Sequence, residues 1–574
     1  MCGIAGVVSS ISNDNIGLLL NKMLKTMQHR GPDGAGYAVN HSVKTSLKLE
    51  DLKLDREKGN IALGHVRLAI TGGITGVQPF QSENKKLILL HNGEIYNYMD
   101  LRSALSAQTT FKTDTDSEVI LKLVEKHYQG NLVEAVKKIL PLLDGVYALA
   151  ITDNHQTVIA RDKIGVRQIY YCSDGKHVAF ASEKKPLKAI MEKDVQIQRL
   201  LPGHIAVCDG KDINSVPFWE PAQIQATEKI SDEDEAIQAY DEALQEAVLK
   251  RVRGRDRVGI IFSGGIDSFL IAYLVQKMGV PFTCYTAGRE GAEDIQWAKK
   301  IAAEYGFILQ VKMLSSDDIE SLVPEIIRDI EDYSLNQVEV AVPIYASVRM
   351  AQEAGERVLL TGQGADELFG GYPWYSRIVD REGYDSFENY SWEDTFLLYK
   401  ECLEREDKIA MAHSIELRVP FLDPKVIETA FKIAPQLKII DGDDDFLKII
   451  HREYCLIQSI PKEIAYRKKE AAQHGANVHN TFEELASKTD ITRALLSCAG
   501  FSEDKSIPEK LGSSSRYGYR YGDRHLWKPL PEVQYYLTSI ADELDCLTPD
   551  IKKYFHQVKN RLDEISVENG GCQS

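Results

Sequence analysis

The 574-residue chain has no apolar run close to the ~18 residues that would cross a bilayer. Its start, Met1-Cys2-Gly3-Ile4, lacks the basic region and apolar stretch of a secretion signal, so no membrane anchoring or export is expected. Positive charge is in deficit: 68 Lys and Arg stand against 85 Asp and Glu, a net charge of −17. Such a surface repels nucleic-acid phosphates and argues against a nucleic-acid partner. There is no Cys-x-x-Cys pair. The nine cysteines, Cys2, Cys172, Cys208, Cys284, Cys402, Cys455, Cys498, Cys546 and Cys572, are scattered, which disfavours a zinc site or disulfide framework. A cytoplasmic, reducing location fits that usage. The GxxxxGK[ST] pattern is also missing, which disfavours P-loop hydrolysis of ATP to ADP.

What is present is globular in composition, 44% hydrophobic and 27% charged, and too long for one core. Up to about residue 210, short apolar runs alternate with Gly, Asn and Asp. Ile61–Gly64, Leu87–Leu90, Val146–Ile151 and His177–Phe180 read as strands of a mostly antiparallel α+β domain. Asp116 to Tyr128 reads as a helix capped by Thr115 or Asp116. Residues 211–232, polar and holding Pro217 and Pro221, read as a linker. From 233 to 500 strand and helix alternate before a mainly helical stretch. Helix Glu233–Lys250, strand Val258–Phe262, helix Asp267–Met278, strand Phe282–Tyr285, helix Ile295–Tyr305, strand Phe307–Val311 and strand Arg357–Leu360 imply a parallel sheet covered by helices. Residues 501–574 form a C-terminal extension. Its Ser513–Tyr521 segment reads as a loop, and Ile551, Tyr554, Phe555, Val558, Leu562 and Ile565 follow helical spacing.

Cys2 is the first chemical signal. With Met1 removed, it would carry a thiol and a free α-amine of pKa about 8, so nucleophile and base would share one residue. Amide cleavage also needs an oxyanion hole and a substrate clamp. Asn92 can offer its side-chain amide and Gly93 its backbone N–H. Arg67 can grip a carboxylate, and Glu94 and Asp116 can receive an ammonium. Together these suit glutamine. Taken singly each has a plainer reading: Asn92-Gly93 as a turn, Arg67 as surface, Asp116 as a helix cap.

In order along the chain, Cys2-Gly3-Ile4-Ala5-Gly6, His29-Arg30-Gly31-Pro32-Asp33, His65-Val66-Arg67-Leu68, His91–Asn97, Thr115-Asp116-Ser117-Glu118 and Asp162–Arg167 resemble the class II glutamine amidotransferase domain. The resemblance implies an N-terminal-nucleophile fold, an αββα sandwich, over residues 2–210. It implies glutamine hydrolysis through a Cys2 thioester, with Asn92 and Gly93 catalytic. Arg67, Leu68, Ile70, Asn92, Gly93, Glu94 and Asp116 would bind glutamine.

The second signal is Ser263-Gly264-Gly265-Ile266-Asp267-Ser268, between a strand and a helix. Two glycines allow a phosphate to approach the backbone, the helix N-terminus supplies N–H donors, and Asp267 can hold Mg²⁺. The stretch resembles the SGGxDS pyrophosphate loop of ATP pyrophosphatases, which cleave ATP between the α and β phosphates. Leu360–Tyr372, Met411–Asp423 and Tyr466–Glu470 are similar to asparagine synthetase motifs. That resemblance covers residues 2 to about 490 and implies an α/β ATP pyrophosphatase domain. It implies ATP contacts at Phe262, Ser263, Gly264, Gly265, Asp267, Ser268, Ala287, Thr361 and Gly362. Asp366 would be the second Mg²⁺ ligand, and Lys469 would neutralise the departing pyrophosphate. Two positions near the activated intermediate depart from the family pattern: Gln363 stands where glutamate is expected, and Glu339 where an arginine is expected.

The expectation is therefore a glutamine-dependent amidotransferase using ATP and Mg²⁺, with glutamine, aspartate and ATP as small-molecule partners. A different acceptor carboxylate is the alternative that Gln363 and Glu339 raise. Homodimerisation is left open.

Overall fold

The computed structural model describes residues 2–107, 109–192, 195–220, 228–440, 447–468, 470–507 and 529–570. The chain forms two compact units. One is Met1–Ala222 with Ala410–Glu416; the other is Gln223–Ile409 with Leu417–Ser574.

Two antiparallel sheets build the first unit. Strand Cys2–Ser9 lies inside a seven-stranded sheet, between His177–Ala181 and Ile61–Arg67. Strand Ile88–Ile95 lies in a six-stranded sheet beside Gly145–Thr152. Side chains of a strand alternate between faces, and Cys2–Ser9 is apolar on both. Ile4 and Val8 meet Ile88, Leu90, Ala148 and Ala150 of the other sheet. Ala5 and Val7 face Leu20, Met23 and Leu24 of helix Ile16–Thr26. On the far side, Ile120 and Val124 of helix Asp116–His127 cover Leu89, Leu149 and Ile151. The layers run helix, sheet, sheet, helix. Thr115 caps the Asp116 helix by accepting the Glu118 N–H.

Residues 211–217, read from sequence as linker, belong to this unit. Strand Ile213–Pro217 pairs with His204–Cys208 at the sheet edge. The reversal is an Asp209-Gly210 turn: Asp209 accepts from Lys211 and Asp212 N–H groups at 2.9 and 2.8 Å, and Gly210 takes φ +95°. The strand is mostly exposed, so it carries little apolar patterning.

In the second unit a five-stranded sheet runs Ile308–Met313, Phe282–Gly288, Val258–Ile261, Val358–Leu360, Glu416–Arg418, with parallel pairing across the first four. The chain starts at Val258–Ile261, moves outward through two strands on one side, then returns to the other side. That reversal opens a crevice beyond the strand ends, where such sheets bind ligands. The loops 262–265 and 361–364 leave from its two walls. Beyond residue 361 the chain is mostly helical. In the terminal helix Pro549–Gly570, Ile551, Phe555, Val558 and Leu562 are buried, and the helix packs on Arg493–Ala499. The Ser513–Tyr521 segment lies outside the described residues.

Candidate functional site

In the first unit, pairing register sets Cys2 opposite Arg67. The Cys2 backbone N–H donates to Asn92 Oδ1 at 2.9 Å, and its Sγ lies 3.8 Å from the Leu68 carbonyl oxygen. Since Asn92 Oδ1 accepts from Cys2, its Nδ2 must face elsewhere. That nitrogen is buried with no hydrogen-bond partner among the described residues. An orphaned buried donor beside a nucleophile suits a developing oxyanion. Gly93 allows close chain approach here, because a Cβ would lie 2.0 Å from the Val146 oxygen.

Cys2, Arg67, Leu68, Ile70, Gly93, Glu94 and Asp116 all line one cleft; Asn92, fully buried, is not part of its lining. Arg67 Nη2 donates to the Thr71 oxygen at 3.0 Å. Asp116 accepts the Ile95 and Ser117 N–H groups at 3.0 and 2.8 Å, which leaves it both a cap and a cavity wall. Burial pushes the Cys2 thiol above its ordinary range; the Arg67 guanidinium pulls the other way and Glu416 adds to the rise. Burial also keeps His91 and His65 below the usual histidine value, so both are neutral near pH 7. Behind Cys2, Arg30 Nε donates to the Cys2 carbonyl at 3.1 Å and Arg30 Nη1 to Glu183 at 2.9 Å.

Glu416 also lines this cavity, 3.8 Å from Arg167, and both side chains are buried. It comes from the Ala410–Glu416 segment, which is anchored here by Met411 against Leu68 and by Ser414 Oγ donating to the His29 oxygen at 2.7 Å. In the sequence Glu416 stands only as one letter of the Met411–Asp423 motif, with no sign of its place beside Cys2.

In the second unit a cavity is lined by Ser263, Gly265, Asp267, Ser268, Thr361, Gly362, Gln363 and Asp366, joined by Lys448, Arg452, Arg467 and Lys468. The glycine loop is held by its own serines: Ser263 Oγ accepts the Gly265 N–H at 3.2 Å and Ser268 Oγ donates to the Gly265 oxygen at 3.1 Å. Gly264 has φ +69°, and a Cβ there would meet the Ala298 nitrogen at 2.7 Å. Phe262 is buried against Phe307 and Ala287 is buried in its strand; the cavity lining includes neither side chain. Lys469 lies outside the described residues.

Lys448 Nζ contacts Asp267 Oδ1 and Oδ2 at 2.7 Å each and Asp366 Oδ1 at 2.6 Å. Two carboxylates that reach one ammonium can reach one divalent cation. Mg²⁺ takes one or two carboxylates and completes its shell with phosphate oxygens and water. Among the described residues no group of three or more His, Cys, Asp or Glu gathers for a metal. The pair fits Mg²⁺ that arrives with a nucleotide. His451 Nε2 lies 3.1 Å from Asp267 Oδ1, and Tyr240 Oη lies 2.6 Å from His451 Nδ1, a supporting layer for the carboxylate. Arg467 ties the cavity wall together, donating to the Ser263 oxygen at 2.9 Å and to Asp294 at 2.6 Å.

The two departures each have a partner. Glu339 is buried and its Oε2 lies 2.6 Å from His479 Nδ1. That contact holds His479 above its ordinary value, against the opposing effect of burial. Gln363 donates through Nε2 to Glu406.

Comparison with known proteins agrees with both halves. A glutamine amidotransferase domain model matches residues 51–206, and an asparagine synthase model matches 239–384 and 379–538. A Methanocaldococcus jannaschii homologue assigned as a glutamine-hydrolysing asparagine synthetase is 35% identical over 85% of this chain and 96% of its own. The asparagine synthetase [glutamine-hydrolyzing] of Sandersonia aurantiaca is 29% identical over 83% of this chain and 87% of its own, and the nodule enzyme of Pisum sativum is 28% identical over 83% and 78%. The chain belongs to the glutamine-hydrolysing asparagine synthetase family.

Proposed function

We propose that this chain makes asparagine from aspartate, glutamine and Mg-ATP through β-aspartyl-AMP, with the two units catalysing separate halves. The observation that carries the reading is the shared reach of Asp267 and Asp366 at a glycine loop that lacks the P-loop lysine pattern.

In the first half, the Cys2 sulfur attacks the glutamine side-chain carbonyl and its proton passes to an amine, that of Cys2 itself once Met1 is removed. Asn92 Nδ2 and the Gly93 N–H receive the oxyanion. Arg67 holds the glutamine carboxylate, and Asp116 and Glu94 face its ammonium. Collapse releases ammonia and leaves a thioester, which water cleaves to glutamate.

In the second half, the Ser263–Ser268 loop holds the ATP phosphates. An aspartate β-carboxylate oxygen attacks the α-phosphorus, the bond to the bridging oxygen breaks, and pyrophosphate leaves. Asp267 and Asp366 would hold Mg²⁺, which would supply charge neutralisation for the phosphates. Lys448, Arg467 and Lys468 line the same cavity and add cationic charge there; the family resemblance assigns Lys469 to the leaving pyrophosphate. Ammonia then attacks the acyl carbon and AMP departs. Ammonia kept from bulk water stays unprotonated and nucleophilic, so an enclosed transfer between the halves suits the chemistry. The partners are then small molecules in a cytoplasmic setting. No helix among the described residues is long and apolar enough to cross a membrane.

The test is a mass balance. Purified protein with glutamine, aspartate and Mg-ATP should yield asparagine, AMP and pyrophosphate in equal amounts. Cys2→Ala should abolish glutamine use and leave ammonia-dependent synthesis. ADP as product, or amidation of another acid in place of aspartate, overturns the reading.

A further inference from the structure

Position 363, where the sequence resemblance led to the expectation of a carboxylate, holds an amide. Gln363 nevertheless lines the nucleotide cavity, and its Nε2 donates to Glu406 Oε1. Glu406 is 1% exposed. Its other oxygen accepts no hydrogen bond among the described residues. Arg405 Nη2 lies 3.3 Å from the bonded oxygen, and Arg405 is itself tied through Nη1 to Gln337 Oε1 at 2.9 Å. Gln337 in turn donates to the Glu401 carbonyl at 2.9 Å. A π-helical turn, Tyr399–Leu403, immediately precedes the helix Glu404–Ala412 that carries Arg405 and Glu406. Such turns shift the angular register of the residues after them and recur at functional sites.

An ionised carboxylate only accepts hydrogen bonds. The end of the Gln363 amide that meets Glu406 is therefore its NH₂, and the carbonyl end is left for the cavity. Burial pushes Glu406 up to about 6 against the pull of Arg405, so the group is still ionised at pH 7.5 to 8. We infer that Glu406 is a positioning residue for the acceptor: it pins Gln363 by its nitrogen, so that Gln363 Oε1 takes an N–H of the acceptor's α-ammonium with a buried negative charge behind it. This assignment rests on the proposed function, since it supposes an amino-acid acceptor.

Reciprocal exchange tests it, in the ammonia-dependent reaction so that the glutamine site plays no part. Glu406→Gln should raise the aspartate KM roughly tenfold or more, the worth of a hydrogen bond to a charged group, with the ATP KM unchanged. Gln363→Glu should also raise it, because two carboxylates would then face each other. The double variant Gln363→Glu/Glu406→Gln restores one carboxylate and one amide and should recover most of the lost affinity. The penalty of Glu406→Gln should also shrink below pH 6, where the wild-type group is protonated. The assignment is overturned if Glu406→Gln leaves the aspartate KM unchanged, or raises both KM values alike, or if the double variant is as poor as the singles. Should Glu406→Gln fail to fold, the double variant decides alone: an aspartate KM near wild type supports the assignment and a tenfold rise overturns it. A wild-type enzyme that makes no asparagine sinks the acceptor reading, and this assignment with it; a wild type that does, beside an unaffected Glu406→Gln, sinks this assignment only.

Discussion

Lys448 Nζ sits 2.6 Å from Asp366 Oδ1 and within 2.7 Å of both Asp267 oxygens, so an ammonium bridges the two carboxylates that suit Mg²⁺. Lys448 is 2% exposed. Two carboxylates this close repel unless a positive charge lies between them. The ammonium and a divalent cation cannot share that position, so the proposed function requires Lys448 to move aside for Mg-ATP. Lys448→Met should therefore make stability metal-dependent. Its melting midpoint in EDTA should fall by about 2–4 °C per kcal/mol of repulsion and return with Mg²⁺, while wild type melts alike in both. Manganese binding without nucleotide should also tighten in the variant. Equal melting of the variant in EDTA and Mg²⁺ would show that the ammonium does not hold the carboxylates in place.

Asn92 has two jobs that one atom exchange separates. Oδ1 accepts from the Cys2 N–H, and Nδ2 is a buried donor with no partner among the described residues. Asn92→Asp keeps the first and removes the second. Loss of one oxyanion donor costs about 10²–10³ in kcat. Glutaminase kcat should fall by that factor with the glutamine KM near wild type. A rise in KM without a fall in kcat would mean that Nδ2 faces ground-state substrate.

Local motifs were legible because their residues are contiguous. His91-Asn92-Gly93 lies within strand Ile88–Ile95, and Ser263–Ser268 joins a strand to a helix, so residue type and neighbours were enough to suggest their chemistry. The terminal helix was legible for a similar reason: Ile551, Phe555, Val558 and Leu562 repeat at helical spacing and are the buried ones. The strand Ile213–Pro217 was not, since it is a mostly exposed edge strand held by backbone pairing and an Asp-Gly turn. Glu416, Glu406, Lys448 and His451 were not either. Each reaches its site from far along the chain, and a charged residue on an amphipathic stretch ordinarily reads as solvated surface. Only the folded chain shows that Glu406 is buried and that it accepts a hydrogen bond from Gln363.

Glu183 links acid stability to the nucleophile. Burial alone would raise its pKa, yet His29, Lys185 and Arg30 together hold it well below the ordinary value of 4.5. A carboxylate with a lowered folded pKa stabilises the protein fully above its unfolded value and loses that contribution as pH falls through the folded one. The first unit should thus keep this contribution down to about pH 4.5 and lose it progressively below. Glu183→Gln should flatten that acid limb. It should also lower glutaminase activity at pH 7.5, because it frees Arg30 from the position in which it holds the Cys2 carbonyl. The check is a pH series of melting midpoints for both proteins. An unchanged slope below pH 4.5 would remove Glu183 as the titrating group.

Gly362 and Gly265 should fail in different ways although both line the nucleotide cavity. A Cβ on Gly362 would lie 2.8 Å from Asp267 Cβ and 3.0 Å from the Asp267 carbonyl carbon and the Ser268 nitrogen. Those backbone atoms cannot rotate away, so Gly362→Ala must spread the two loops that bracket the Asp267 and Asp366 carboxylates. Overpacking of this kind costs about 1–3 kcal/mol. Its melting midpoint should drop, and ATP affinity should weaken with it. A Cβ on Gly265 would meet only Ser263 Oγ at 3.2 Å and Arg467 Nη1 at 3.9 Å. Both are side-chain ends, so Gly265→Ala should fold normally. It should still lose ATP affinity, because the methyl group occupies the surface that a phosphate must approach. Paired melting curves and ATP titrations separate the two. A Gly265→Ala protein that binds ATP as wild type does would place the phosphates away from this loop.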